Sequence, residues 1–252
     1  MNLNWLGPSA ARAALGHHTM NVLAFDTCLG ALSVAVVRAD AGDAHVTEAY
    51  EELQTGHAER LMPMVEATMA KAGLAFADLG RIAVTLGPGT FTGVRTGIAA
   101  ARAFRLAAGV EVVGTSSLAV MAHRVFAARS TTADDRPLLV AVDARRGGLY
   151  VQLFSASALE PLTEPQELAA DAAAALAGSG ALTLAGSGAR AIAEAGANVG
   201  RHFEIIAEHL EPHAADLAVL APKLAPLRDV SPIYIRLPDA KPQDGNQLAR
   251  AR

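Results

Sequence analysis

The chain has 252 residues, of which 52% are hydrophobic and 18% charged, and its formal net charge is −4 at pH 7. This composition excludes a mostly disordered protein, and the slight negative charge argues against a surface that coats nucleic acid or membranes. No apolar stretch is long enough for a membrane-spanning helix, so we expect no membrane partner. Cys28 is the only cysteine, which rules out an internal disulfide and favours a reducing, cytoplasmic location.

The pattern along the chain predicts an extension, two α/β halves and a tail. Residues 1–19 lack the apolar core of a secretory signal and are predicted to be a disordered extension. Strands and helices alternate from residue 20 to 128 and again from 129 to 238, with a linker at 130–136. Residues 239–252 are polar and are predicted to form a flexible tail. In the first half we predict, in chain order, strands at 22–25, 32–36 and 45–51, a helix at 56–72, a strand at 81–86, a helix at 94–108, a strand at 110–114 and a helix at 117–128. In the second half we predict a second hairpin from 137, a helix at 164–177, a strand at 182–185, a helix ending at 195, a strand at 203–206, a helix at 213–224 and an extended segment at 231–237.

The second half repeats the opening of the first. The segment Leu23-Ala24-Phe25-Asp26 resembles Val140-Ala141-Val142-Asp143 at an offset of 117 residues. The same offset relates Gly30 to Gly147, Leu32 to Leu149, Val34 to Val151 and Val36 to Leu153. Each half is therefore predicted to begin with a strand, an Asp, a tight turn and a second strand, although two unrelated hairpins can resemble each other by chance. Two such halves predict a duplicated α/β fold of the actin-like ATPase type.

In that architecture the two turns face a cleft between the halves. Backbone N–H groups and Asp side chains at such turns can hold phosphates and a divalent ion. The ligand would be ATP or ADP with Mg²⁺, bound in this cleft or in an assembled complex. The candidate nucleotide-binding residues are Asp26, Thr27, Asp143, Gly186 and Gly188.

A glycine-rich segment, Gly87-Pro88-Gly89-Thr90-Phe91-Thr92-Gly93, precedes the helix predicted at 94–108. Its glycines allow close backbone approach, and the N–H groups at the start of the helix suit an anion. The segment lacks the Gly-Lys-Ser/Thr of a Walker A loop, and the dinucleotide fingerprint would need glycine at Thr92. The pattern favours a structural turn with Thr90 or Thr92 as the N-cap, and a phosphate loop is the alternative.

Two helices carry rows of residues that suit a partner surface. The helix at 56–72 carries a ridge of larger side chains, and the helix at 94–108 carries small residues four apart that let another helix approach closely. We expect a partner, or a second copy of the chain, to dock here, and ordinary core packing is the alternative. The candidate interface residues are His57, Leu61, Met62, Val65, Met69, Gly93, Gly97, Ala101 and Phe104.

No set of residues stands out as catalytic or metal-binding. His209 and His213 have the spacing of helical metal ligands, but Pro212 is tolerated only in the first turn of a helix and so separates the two rings. Cys28 has no evident base to activate it and is expected to be a small core residue.

Several segments together resemble one family. They are Asp26-Thr27, Gly87 to Arg95, Val112 to Leu118 and Val142-Asp143-Ala144-Arg145, with His57 to Val65 and Pro232 to Arg236 as further matches. From about residue 20 to 241 the chain is similar to the TsaB (YeaZ) family. Members of that family are bacterial partner subunits of TsaD in making N6-threonylcarbamoyladenosine at position 37 of tRNA.

The resemblance implies a non-catalytic activating subunit that pairs with a TsaD homologue and reaches tRNA through the complex. It also implies TsaC and TsaE homologues in the same pathway and a homodimer when the chain is alone. TsaD has a metal-binding His-x-x-x-His, and the matching positions here are Ser116 and Val120, neither of which replaces an imidazole ligand. A stand-alone actin-like ATPase or kinase that uses Asp26, Thr27 and Asp143 is the alternative function. Peptidase activity, with which the family was once associated, gains no support from the sequence.

Overall fold

A computed structural model describes residues 20–40, 43–128, 136–144, 147–156, 160–176, 178 and 180–235. The predicted extension at 1–19, the predicted tail at 239–252 and nearly all of the predicted linker lie outside these residues. In the described part, no helix is both long enough and apolar enough to cross a membrane.

Ten strands and six helices of the described residues alternate in the order expected of an α/β protein. The strands are β1 (Val22–Asp26), β2 (Ala31–Asp40), β3 (Asp43–Glu52), β4 (Arg81–Thr85), β5 (Glu111–Thr115), β6 (Leu138–Asp143), β7 (Leu149–Phe154), β8 (Gln166–Leu168), β9 (Thr183–Ala185) and β10 (Glu204–Ala207). The helices are α1 (His57–Ala72), α2 (Phe91–Ala108), α3 (Ser117–Ala128), α4 (Ala170–Ala175), α5 (Ala189–Ala197) and α6 (Ala214–Leu220).

The two sheets share one topology. The strand order is β3-β2-β1-β4-β5 in the first sheet and β8-β7-β6-β9-β10 in the second. In each sheet the central strand pairs antiparallel with the strand after its hairpin turn, and parallel with the strand reached through a helix. The duplicated α/β fold of the actin-like ATPase type is therefore confirmed.

Helices cover both faces of each sheet. Helices α1 and α2 pack on the outer face of the first sheet, where Leu61, Ile98 and Phe25 belong to one buried cluster. Helices α4 and α5 cover the outer face of the second sheet. The two inner helices are exchanged between the halves. Helix α6 packs on the first sheet through Leu217, although it lies in the range predicted for the second half. Helix α3 packs on the second sheet through Met121.

A buried ion cluster links the exchanged helices. Asp216 of α6 is only 3% exposed. Its carboxylate accepts a hydrogen bond from Arg124 of α3 at 3.0 Å, and its other oxygen lies 2.8 Å from Nδ1 of His123. Because α3 follows the first sheet and α6 follows the second, this cluster helps to hold the two halves together.

Strand register corrects the predicted repeat. Leu23 of β1 faces the outer core with α1 and α2, whereas Val140 of β6, its partner at the offset of 117, faces the inner core with α3. Side chains alternate along a strand, so a shift of one residue turns every side chain to the other face. The offset holds for the second strand of each hairpin and is wrong by one residue for the first. Asp26 and Asp143 are therefore not structural equivalents.

Three predicted elements also differ from the structure. The helix predicted at 164–177 is β8 followed by the short α4, because β8 pairs antiparallel with β7, which local propensity does not reveal. The helix predicted at 213–224 ends at Leu220 and continues as a 3-10 turn. The segment predicted as extended at 231–237 is not a strand as far as it is described, although the Ile233 N–H donates to the Leu86 carbonyl at 2.8 Å.

Candidate functional site

A cavity of about 240 Å³ lies between the two halves, where the sequence predicted a cleft. Both hairpin turns reach it, as do the glycine-rich turn and the segment before α6. Of the five predicted nucleotide-binding residues, only Asp143 lines it. The lining residues are Leu29, Gly30, Gln54, Gly89, Thr90, Val142, Asp143, Ala144, Tyr150, Ser187 and Glu211.

Asp26 does not face this cavity. Its side chain is fully buried at the end of β1. One carboxyl oxygen is hydrogen-bonded to the Thr85 hydroxyl, and the other accepts from the Cys28 N–H at 3.3 Å. Burial raises the pKa of Asp26 to about 7, although both hydrogen bonds lower it. Because the side chain is enclosed and both carboxyl oxygens are bonded within the first half, Asp26 does not reach the cavity in which it was predicted to hold Mg²⁺.

The other predicted phosphate donors are bonded within the chain. The Thr27 hydroxyl donates to the Gly93 carbonyl at 2.7 Å. The N–H groups of Gly186 and Gly188 donate to backbone carbonyls at 2.7 and 3.0 Å. A backbone N–H that already has an internal acceptor is not available to a phosphate. The residues present therefore do not fit the nucleotide and Mg²⁺ that the fold type suggested.

The glycine-rich turn is a packing element. The Thr90 side chain accepts from the Gly93 N–H at 3.1 Å, so Thr90 is the N-cap of α2. A Cβ on Gly89 would lie 2.2 Å from the Cys28 carbonyl oxygen, and a Cβ on Gly93 would lie 2.0 Å from that of Thr27. Glycine is required at both positions because the turn lies directly on the backbone of the first hairpin.

The predicted docking rows point mostly inward. On α1, only Met62 of the predicted interface residues is exposed. Leu61, Val65 and Met69 pack in the outer core, and His57 is buried at the start of the helix. On α2, a Cβ on Gly97 would lie 2.7 Å from the Thr27 hydroxyl oxygen, and the half-buried ring of Phe104 stacks on that of Phe76 at a centroid distance of 5.3 Å. Ordinary core packing, the alternative reading, therefore accounts for all of these rows except Met62. The buried members are His57, Leu61, Val65, Met69, Gly93, Gly97 and Ala101.

The opposite face of the same two helices is exposed and partly apolar. Phe91 is 66% exposed, Leu106 is 90% exposed and Met62 is 40% exposed. The Arg95 guanidinium lies 3.6 Å from the centroid of the Phe91 ring and 3.5 Å from the Tyr234 hydroxyl. Sequence reasoning missed this face because it followed the small residues. The available signal was that a helical wheel places Phe91 and Leu106 within about 60° of each other.

The positions compared with metal ligands have other roles. The Ser116 hydroxyl donates to the Gln152 side chain at 2.6 Å, and Val120 is fully buried. His213 turns toward the first sheet, where its Nδ1 lies 3.1 Å from a carboxylate oxygen of Glu48. Among the described residues, no group of three or more His, Cys, Asp or Glu side chains is placed to hold a metal ion.

Glu211 is a cavity residue that sequence reasoning missed. It lies between β10 and α6, and its Oε2 accepts a hydrogen bond from the Gly30 N–H at 3.1 Å. Burial raises the pKa of Glu211, the bond from Gly30 lowers it, and the nearby Glu52 carboxylate raises it further. The two bonded residues are 181 positions apart, so no local pattern could have related them.

Comparison with known proteins gives a consistent family. A family model described as TsaD, tRNA N6-adenosine threonylcarbamoyltransferase, matches residues 49–218, which is more than half of the chain. The tRNA threonylcarbamoyladenosine biosynthesis protein TsaB of Escherichia coli K12 is 35% identical over 131 residues, covering 52% of this chain and 53% of that protein. The chain thus spans about half the length of the curated relatives that it matches.

Solved structures agree over a longer range. YeaZ from Pseudomonas aeruginosa matches with a TM-score of 0.68 and 28% identity, covering 86% of this chain and 100% of that chain. A second structure from the same organism, described as an uncharacterized protein with similarity to peptidase YEAZ, matches with a TM-score of 0.70 over the same shares.

Proposed function

We propose that this chain is a non-catalytic partner subunit in tRNA modification, because it belongs to the TsaD family and to its TsaB (YeaZ) branch. It would pair with a TsaD homologue, and the complex would transfer threonylcarbamoyl from its adenylate to the adenosine at position 37 of tRNA. TsaC and TsaE homologues would act in the same pathway. The cytoplasm would be the location, and tRNA would be reached through the complex.

The observation that carries this proposal is the structural match to YeaZ, which covers the whole of that chain. The absence of catalytic equipment is supported by the two positions that match the TsaD histidines. Ser116 is bonded to Gln152 and Val120 lies in the core, so neither could be recruited to a metal without unpacking the fold. Any requirement for ATP or ADP with Mg²⁺ belongs, in this proposal, to the assembled complex rather than to the cleft of this chain.

The surface proposed for TsaD is the exposed face of α1 and α2. A stable protein interface buries roughly 1,600 Å² in total and centres on aromatic and large apolar anchors. Phe91 and Leu106 are large, exposed and on the outer side of α2, with Met62 exposed on the neighbouring α1. When the chain is alone, a second copy would cover the same face and form a homodimer.

The alternative is a stand-alone ATPase or kinase. It would need Asp26 and Thr27 to face a nucleotide, whereas both side chains are buried and bonded to other parts of the first half. Measured ATP turnover by the purified chain distinguishes the two functions. Turnover at the rate of a dedicated ATPase, lost on changing Asp26, would overturn the non-catalytic proposal.

The main experiment is co-purification with the TsaD homologue followed by a reconstituted tRNA modification assay. Phe91→Asp and Leu106→Asp should each weaken TsaD binding tenfold or more, which is about 1.4 kcal/mol. Modification should fall in parallel. Both side chains are mostly exposed, so the thermal transition of the isolated chain should stay nearly unchanged.

The matched control is Val199→Asp. Val199 is 70% exposed and lies in the second half, away from α1 and α2. This variant should bind TsaD normally. Normal binding by both Phe91→Asp and Leu106→Asp would place the docking face elsewhere, and transfer of threonylcarbamoyl by the isolated chain would contradict the non-catalytic role.

A further inference from the structure

The first hairpin turn presents the Gly30 N–H to the cavity, where a phosphate could be met by a backbone donor. This N–H already has an acceptor within the chain. Glu211 Oε2 accepts from it at 3.1 Å, and Glu211 Oε1 lies 3.1 Å from the point that a Gly30 Cβ would occupy. We infer that Glu211 is an internal anion that occupies the first hairpin and keeps external phosphate groups out of the cleft. This inference concerns the cleft and does not depend on the proposed docking to TsaD.

The carboxylate is held in place by its neighbours along the chain. The Ser33 hydroxyl on β2 accepts from the Ala214 N–H at 2.9 Å and donates to the Pro212 carbonyl at 3.4 Å. His213 lies against Glu48 on β3. The segment that carries Glu211 is thus fixed to the first sheet, so little further conformational entropy is lost when the side chain bonds to Gly30.

The charge of Glu211 itself also disfavours a phosphate at the first hairpin. Its carboxylate lines the cavity and is bonded to the Gly30 N–H. Burial and the charge of Glu52 already raise the pKa of Glu211, so this environment resists the negative charge it holds. A second anion at the same hairpin would add like-charge repulsion in a partly desolvated space.

The first hairpin therefore needs no phosphate to satisfy the Gly30 N–H. The acceptor is the side chain of Glu211, which cannot dissociate from the protein. This N–H is expected to keep its internal acceptor whatever the nucleotide concentration.

The test is titration of the full chain with pyrophosphate and Mg²⁺, followed by calorimetry. The wild-type chain should bind with a Kd weaker than about 1 mM. Glu211→Ala frees the Gly30 N–H and removes a charge, so it should bind at least about tenfold more tightly. Hydrogen exchange of the peptide containing Gly30 should also become about tenfold faster in this variant.

The matched control is Glu52→Gln, which removes a nearby charge without touching Gly30 and should change pyrophosphate affinity less than about twofold. Should Glu211→Ala fail to fold, Glu211→Gln decides the matter, because it keeps the length and an accepting oxygen while removing the charge. A gain of about threefold or more in that variant supports the inference. Wild-type binding tighter than about 0.1 mM with slowed exchange at Gly30, or no gain in the Glu211 variants, would overturn it.

Discussion

Replacing Asp26 by Asn should make the free energy of unfolding less dependent on pH. Burial raises the pKa of Asp26 to about 7 in the folded chain, against an ordinary value of 3.8. Between these two values the folded state holds a proton that the unfolded state has released. The contribution is therefore fully present below the unfolded pKa and is lost as the pH rises through 7. It amounts to about 4 kcal/mol in all, of which about 2 kcal/mol is lost between pH 5.5 and 8.5.

The Asp26→Asn side chain stays neutral over this range. Its amide oxygen can accept from the Cys28 N–H, and its NH2 group can donate to the Thr85 hydroxyl oxygen, which in the wild type donates to the Asp26 carboxyl. The assay is urea denaturation of both proteins at pH 5.5 and at pH 8.5. Glu211 also has a raised pKa and adds a trend of the same sign, but the difference between the two proteins cancels it. We expect the variant to gain about 2 kcal/mol relative to wild type between the two pH values.

A difference in the free energy of unfolding between the two proteins that changes by less than about 0.5 kcal/mol from pH 5.5 to pH 8.5 would refute the buried, neutral carboxyl. The same variant carries a functional expectation. It should support TsaD binding and tRNA modification at the wild-type level, because Asp26 does not line the cavity. Loss of modification from an intact complex would mean that the cleft takes part in the reaction after all.

Two further substitutions test the packing that joins the halves and encloses α2. Gly97→Leu should lower the free energy of unfolding by about 1–3 kcal/mol or prevent folding, because a Cβ there meets the Thr27 hydroxyl at 2.7 Å. Ala99→Leu, on the exposed side of the same helix, is its control and should melt normally. Asp216→Ala removes the carboxylate that two side chains of α3 contact and should cost about 3 kcal/mol in urea denaturation. A loss below about 1 kcal/mol would show that this cluster does not hold the halves together.

The order of the elements could be predicted from the sequence because it depends on local patterns. A short apolar run marked β1, apolar alternation marked β2, helical spacing marked α1 and α2, and Thr90 had the chemistry of an N-cap. The repeat of a strand, a turn and a strand at the start of each half predicted the duplicated fold. The signals for each strand, helix and turn lie within a few residues of each other, so a single sequence reveals them.

The faces of these elements were decided only by the tertiary structure. A row of small residues at Gly93, Gly97 and Ala101 allows close approach, but the row itself does not say whether the neighbour is the first hairpin of the same chain or another protein. The neighbour is Thr27 of the same chain, so the surface left for a partner is the opposite side of α2. In the same way, a shift of one residue in register separated Asp26, which is buried, from Asp143, which lines the cavity.

The sequence by itself therefore determined the fold class and the hairpins, because short-range periodicity and turn chemistry specify them. Its matching segments carried the family resemblance. The tertiary structure alone decided the exchange of α3 and α6 and the contact of Glu211 with Gly30. That contact joins residues 181 positions apart. The contact depends on how the two sheets pack through α3 and α6. Packing between distant segments leaves no periodic pattern in the sequence from which it could be predicted.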